Sequence, residues 1–361
     1  MKRYLPATLC TLVAAAYVLW RLALAGGEPS ALFEIGQRYS SGETQGTEGY
    51  DGQFFYFIAL DPEPSKVAAK LDVPAYRYQR ILYPLLARAL ALGTASGVPW
   101  AMLGIGLASL WAGTYSVSEL LAYRGLSRWY GLSFGLWVGL VAPVGTGLSE
   151  PLAYGLVAAA MLMLAHGRKP LAAGLLGLAA FAKETTLPFL GAALASELLS
   201  DRNRRAVVAY LAAGVAYAAW QLWLVRVFGT FGLASGGEMA TGFEWIPYLG
   251  LIRIGTVSLA ALGLYLLIFG PSIVLPSLWG AIASLKAMLR GARDVESFSL
   301  FGNSLLVMAL PFSTFREPLG LVRLADGLVL AVILFSSSRR WMRPLRYSLF
   351  WSGLLAILLA P

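Results

Sequence analysis

The chain has 361 residues, 58% of them hydrophobic and only 13% charged, with a mean hydropathy of +0.67. Soluble domains carry about a quarter charged residues, so this composition excludes an ordinary soluble domain and indicates a polytopic membrane protein. The net charge of +9 does not indicate nucleic acid, because sixteen of the 28 basic residues cluster in short loops or at the ends, among them Arg168 and Lys169, Arg202, Arg204 and Arg205, and Arg339, Arg340, Arg343 and Arg346, which is the positive-inside pattern.

A basic start, Met1-Lys2-Arg3, leads into an apolar run at 5–25. At about 1.5 Å per residue, such a run crosses most or all of a hydrocarbon core of roughly 30 Å. Its length and the weak cleavage site at 21–25 favour an uncleaved first helix over a signal peptide. Cys10, the only cysteine, lies inside it, so no intramolecular disulfide forms and the thiol reads as packing. With a cytoplasmic N-terminus this helix delivers residues 26–80 to the outside. That loop holds eight of the 19 acidic residues: Glu28, Glu34, Glu43, Glu48, Asp51, Asp61, Glu63 and Asp72.

Within the loop, Tyr50-Asp51-Gly52-Gln53 places an acid before a glycine and an aromatic run. In one reading Gly52 lets the backbone turn tightly or approach a ligand, with Asp51 as general base at a membrane surface. In the other, the pair is an Asp-Gly turn ahead of an amphipathic interfacial helix. Farther on, Arg77 and Arg80 stand three apart and share a face if helical. A planar guanidinium fork suits phosphate, and snorkelling toward lipid headgroups is the alternative.

Two apolar segments follow, at 81–92 and 99–122, before a basic loop at 123–130. An inside position for that loop needs an odd number of crossings, so either the first segment, interrupted by Pro84 and Arg88, does not cross, or the loop lies outside. Beyond it, 132–144 rises, Ser149-Glu150-Pro151 turns outside and 152–165 returns. The runs at 171–182 and 187–199 are short and flank Lys183-Glu184-Thr185; short apolar runs indicate helix ends inside a polar cavity. After the basic loop at 201–205, residues 206–228 rise and 229–245 lie outside. The stretch 246–289 is one long crossing with an interfacial approach or three shorter ones, broken at Gly270-Pro271 and Pro276. Residues 298–310 rise, Arg316-Glu317-Pro318 turns outside, 319–335 returns, and 347–360 closes the chain. The expectation is one all-α domain over 1–361, a membrane bundle of about 11–14 segments, whose polar motifs open to one side.

Charges next to apolar runs face a cavity or each other. Lys183 and Glu184 fit either a site or a structural ion pair with Arg316 or Glu150. Glu150 fits a helix N-terminal acid or a ligand for sugar hydroxyls, and the spacing of Arg323 and Asp326 pairs them with each other. His166, the only histidine, reads as loop; with one cysteine besides, zinc is not supported, and no phosphate-binding glycine loop is present. Trp100, Trp129, Tyr130, Trp245, Tyr248 and Trp341 fit an interfacial belt.

An aromatic-Asp-Gly-Gln-aromatic motif in a first outer loop, then Asp61-Pro62, then 77–86 with Arg77, Arg80, Tyr83 and Pro84, resembles the GT-C superfamily of integral-membrane glycosyltransferases. The chain is most similar in kind to small bacterial relatives of the dolichyl-phosphate-mannose-dependent mannosyltransferases and to proteins of cell-surface glycopolymer formation. The resemblance implies a GT-C-like bundle with interfacial helices in the first outer loop, and a catalytic base at Asp51. It also implies a second acid nearby, for which Glu48 is the one close candidate in sequence. The implied partners are a polyprenyl-phosphate-sugar donor, a glycolipid or glycan acceptor and membrane lipids, with no nucleic acid. The site would face outward from the cytoplasmic membrane, with no cofactor beyond an undetermined divalent cation. Arg77, Arg80, Lys183 and Arg316 are the expected donor-phosphate ligands, four cations repelling one another in an empty site, and Tyr50, Gln53, Glu150, Glu184 and Glu317 the expected substrate contacts. A lipid-linked sugar transporter and a non-catalytic envelope scaffold are the alternatives.

Overall fold

The apolar runs fold as helices, and the structure, a computed structural model, describes residues 2–200 and 203–359. Met1, Asp201, Arg202, Ala360 and Pro361 lie outside the described residues, and with them part of the basic loop expected at 201–205 and the end of the segment at 347–360. Among the described residues there is no strand; the one β contact is an isolated bridge between Ile35 and Gly49. Prolines stand in the first turns of several helices, including Pro99, Pro151, Pro170 and Pro188, where a missing N–H is not needed.

Four helical stretches are long and apolar enough to cross a membrane: Leu5–Leu24, Arg204–Phe228, Leu259–Leu289 and Pro318–Ser338. The last is 83% buried and forms the centre of the bundle, while the others are 22–28% buried. Those three present Leu12, Leu19, Val208, Val215, Leu222 and Leu267 outward. An exposed apolar surface of this extent belongs in hydrocarbon, so the protein is membrane-embedded.

Shorter helices fill the interior. Glu150–Ala165 packs between Val98–Tyr123 and Lys169–Ala182. The first of these contacts relies on small residues, since a Cβ on Gly113 would stand 2.9 Å from the Gly155 Cα. Val295–Met308 lies against Leu187–Leu199, Leu275–Leu289 and Asp326–Ser338.

One segment differs from the sequence expectation, the rise at 132–144. Two that the sequence left open are resolved, 81–92 as a non-crossing helix and 246–289 as a short helix before one long run. The apolar stretch at 81–92 becomes the nine-residue helix Leu82–Leu90, about 14 Å long and too short to cross alone. Its Arg88 turns back to donate to the carbonyls of Ala59 and Leu60. The rise expected at 132–144 is two pieces, Leu132–Gly135 and Val138–Thr146; the second contains Pro143 and is buried along its whole length. The stretch 246–289 is a short helix, Leu249–Val257, followed by one 31-residue run that passes through a π-helical turn at Gly270–Val274, where Pro271 cannot donate.

The segment 26–80 folds back onto the ends of these helices. Its Gly52–Leu60 helix is not the amphipathic surface helix expected, because seven of its nine residues are buried. Phe55 packs edge-on to Tyr83, and Phe54 edge-on to Tyr39. Gly52 serves packing rather than a ligand, since a Cβ there would overlap the Thr146 carbonyl oxygen. The glycine lets this helix start against the Val138–Thr146 helix, which fixes where Asp51 stands.

Candidate active site

A cavity of about 550 Å³ opens where the segment 26–80 meets the helix ends near Lys183 and Arg323. That volume is in the range of small-molecule sites. It draws its wall from distant parts of the chain: Tyr50, Asp51 and Gln53, then Arg77 and Arg80, then Lys183, then Arg316, Glu317 and Arg323, with Gly237 to Ala240 across the mouth. Seven of the residues read from the sequence as donor or substrate contacts thus share the wall with Asp51 and Arg323, although up to 273 residues separate their positions.

Asp51 occupies the N-cap position of Gly52–Leu60 but makes no side-chain capping bond. Its carboxylate turns outward and is held between two guanidiniums, Arg77 Nη2 at 2.9 Å from Oδ1 and Arg323 Nη1 at 3.0 Å from Oδ2. Burial alone raises the Asp51 carboxyl, but the charges of Arg77, Arg323 and Arg80 outweigh it and hold the group well below the usual carboxylate range.

The cations do not stand unpaired, which corrects the expectation of a self-repelling cluster. Arg77 also donates to Asp72 through Nε and Nη2, at 2.7 and 2.8 Å, while its Nη1 has no partner. Arg80 makes a two-toothed pair with Glu184 at 2.8 and 2.6 Å and donates to the Tyr76 hydroxyl. Lys183 donates to Glu150 Oε1 at 2.6 Å, and Arg323 Nε donates to the same oxygen at 2.6 Å. Buried charges in an apolar bundle require such partners. Arg316 is the exception: it is exposed on the cavity wall and makes no ion pair among the described residues.

Arg323 is therefore a cavity residue and not the partner of Asp326. The helical run is interrupted for one residue at Ala325, between Pro318–Leu324 and Asp326–Ser338, and the two side chains take different partners, Arg323 turning to Asp51 and Glu150. Asp326 instead accepts from the Trp137 indole at 2.8 Å, and its Oδ2 is buried without a partner. Glu150 and Glu184 lie behind the cations and do not line the cavity. Gln53 lines it, yet both ends of its amide are engaged by backbone, accepting from Gly36 N and donating to Glu48 O. Tyr50 donates toward Glu317 at 3.5 Å and accepts from Arg323 at 2.9 Å. Glu48, the second acid that the resemblance implies, lines the same cavity and pairs with Arg38, while the acid that shares a guanidinium with Asp51 is Asp72.

Sequence reasoning also left out Tyr76, whose ring lies under Arg80 at 4.4 Å and Arg77 at 5.0 Å, and Glu238, which accepts from Arg38 and the Tyr39 hydroxyl. Asp72 was detectable as the acid five residues before Arg77; Arg323 carried no local signal. Among the described residues no group of three or more His, Cys, Asp or Glu side chains is placed to hold a metal ion. No protein-family model, no curated protein and no solved structure matches this chain.

Proposed function

We propose that the protein is a glycosyltransferase that moves a hexose from a polyprenyl-phosphate-linked donor to a glycolipid or glycan acceptor, at the outer face of the cytoplasmic membrane. The observation that carries this reading is a carboxylate, Asp51, in one cavity with Arg77, Arg80, Lys183, Arg316 and Arg323, in a protein embedded in the solvent of the lipid carrier. An acid that can accept a proton beside cations that can receive a phosphate is the pairing that displacement at a sugar phosphate requires.

In this reading the acceptor hydroxyl oxygen attacks C1 of the sugar from the face opposite the phosphate. The new C–O bond forms as the bond from C1 to the phosphate oxygen breaks, so configuration at C1 inverts, and the hydroxyl proton passes to Asp51. Arg316, with no carboxylate of its own, is the first cation open to the donor phosphate. Arg77 lines the same wall and is already paired with Asp51 and Asp72. Both Asp51 oxygens are engaged by guanidinium, which makes the group a weak base. Phosphate competes for those same guanidiniums, and each one that turns to the donor returns basicity to Asp51.

The test is incubation of the purified protein with a panel of radiolabelled polyprenyl-phosphate sugars and a membrane lipid extract. Transfer of label to a lipid or glycan acceptor, with release of polyprenyl phosphate, is the expected result. Movement of intact donor across a vesicle bilayer with no transfer would replace the reading with a transporter.

A further inference from the structure

A second cavity, of about 750 Å³, lies at the other end of the central helix. Arg323 lines the first cavity and Arg339 the second. Sixteen residues of largely helical chain separate them, roughly 24 Å, close to the thickness of a hydrocarbon core. The two cavities therefore sit at opposite ends of the bundle, and the second shares its end with the Arg339 to Arg346 cluster.

Its chemistry differs from that of the first. Lys286, Arg290 and Arg339 line it, and none of the lining residues is acidic. Lys286 and Arg290 are four apart at the end of the Leu275–Leu289 helix, so they project from one face and repel each other. Both are exposed, and neither makes an ion pair among the described residues. Arg339 is held in place, pairing with Asp294 at 3.0 Å and lying over the Phe335 ring at 3.9 Å. Trp279 and Trp341 form the apolar wall, 6.3 Å apart and both packed against Phe335. From this mouth a stripe of exposed Leu278, Ile282, Leu285 and Leu289 runs along the same helix, spaced four, three and four residues apart.

Unpaired cations, tryptophans at the height of the headgroups and an apolar track beside them are the three parts of a phospholipid seat. We infer that this cavity binds an anionic phospholipid, its phosphate between Lys286, Arg290 and Arg339 and its acyl chains along the Leu278 to Leu289 stripe. The inference is independent of the transferase reading, which concerns the opposite cavity.

The experiment uses the full chain, reconstituted in nanodiscs of phosphatidylcholine mixed with phosphatidylglycerol, extracted into mild detergent and weighed by native mass spectrometry. The wild type should retain phosphatidylglycerol in preference to phosphatidylcholine. The double variant Lys286→Ala/Arg290→Ala should lower that retention by about tenfold or more, as loss of contacts to a charged group requires. The charge-preserving exchange Lys286→Arg/Arg290→Lys should keep it. Arg204 and Arg205 lie at the same end of the bundle, since Leu199 and Ser200 face Gly291 and Arg293, but outside this cavity. Arg204→Ala/Arg205→Ala should therefore leave retention intact. Equal losses from the two alanine pairs would reduce the effect to diffuse attraction of a basic surface, and no preference for phosphatidylglycerol in the wild type would also overturn the inference.

Discussion

Asp51 carries two ion pairs whose contribution depends on pH in a stated direction. Its pKa in the folded protein lies below the unfolded value of about 3.9. The pairs therefore stabilise fully above that value, and the contribution is lost as pH falls through the depressed pKa. The melting-temperature gap between wild type and Asp51→Asn should be constant from about pH 5 to 8 and shrink only below about pH 4. A gap that closes between pH 5 and 7 would mean the carboxyl is raised rather than lowered. Glu150 is the more sensitive residue for stability: it is 1% exposed and is the shared acceptor of Lys183 and Arg323. Glu150→Ala strands two buried cations and should cost about 3–5 kcal/mol in denaturant unfolding. Glu48→Ala removes a surface pair with Arg38, with the glutamate 62% exposed, and should cost about 1 kcal/mol or less. Comparable costs for the two would show that the Glu150 cluster is solvated. Asp51 stood out in the sequence as an acid before a glycine, Arg77 and Arg80 as two arginines three apart, and Lys183 as a charge beside short apolar runs, and all four line one cavity with Arg316. Their partners were not legible there, because Arg323 reaches Asp51 and Glu150 across 272 and 173 residues. The local alternative, Asp326, accepts from Trp137 instead.

The helices read most securely from sequence are long apolar runs such as Leu5–Leu24 and Arg204–Phe228, whose length alone sets their form. The one misread, at 132–144, is apolar but interrupted by Pro143, and the one left open, at 81–92, is interrupted by Pro84; the ends of both are fixed by tertiary contacts that no local pattern carries. The Gly52–Leu60 helix shows the same dependence. Its apolar residues read equally as surface or core, and burial of Phe54, Phe55, Phe57 and Ile58 resolves the ambiguity. The contact of Gly52 with Thr146 makes a test at this scale. Gly52→Ala places a methyl into backbone that cannot move aside, and should lower stability by about 1–3 kcal/mol or more. Gly174→Ala, in the Lys169–Ala182 helix with open space around the position, should be neutral or stabilising by up to about 1 kcal/mol. Thermal melts of the two variants separate the cases, and a harmless Gly52→Ala would show that the helix start is free to shift.

Across the whole molecule, the basic clusters and the site segments gather at opposite ends of the central helix, so the cavity with Asp51 opens at one end of the bundle and the basic clusters lie at the other. In a Cys10→Ala background, cysteines at Ser41 and Thr314, beside the first cavity, should label with a membrane-impermeant thiol reagent applied from outside. Cysteines at His166 and Ser338, both exposed at the basic end, should be protected in intact cells. The reverse pattern would turn the bundle over and place the cavity with Asp51 in the cytoplasm. The central claim, that Asp51 performs chemistry in a cavity built for a lipid-linked sugar phosphate, is tested most directly by single-turnover transfer in wild type and Asp51→Asn, with polyprenyl-phosphate binding measured in parallel. Arg77 keeps Asp72 and Arg323 keeps Glu150 in that variant, so the cations stay in place. The account predicts that donor binding survives while transfer falls by about 10²-fold or more; near-normal transfer by Asp51→Asn would contradict it.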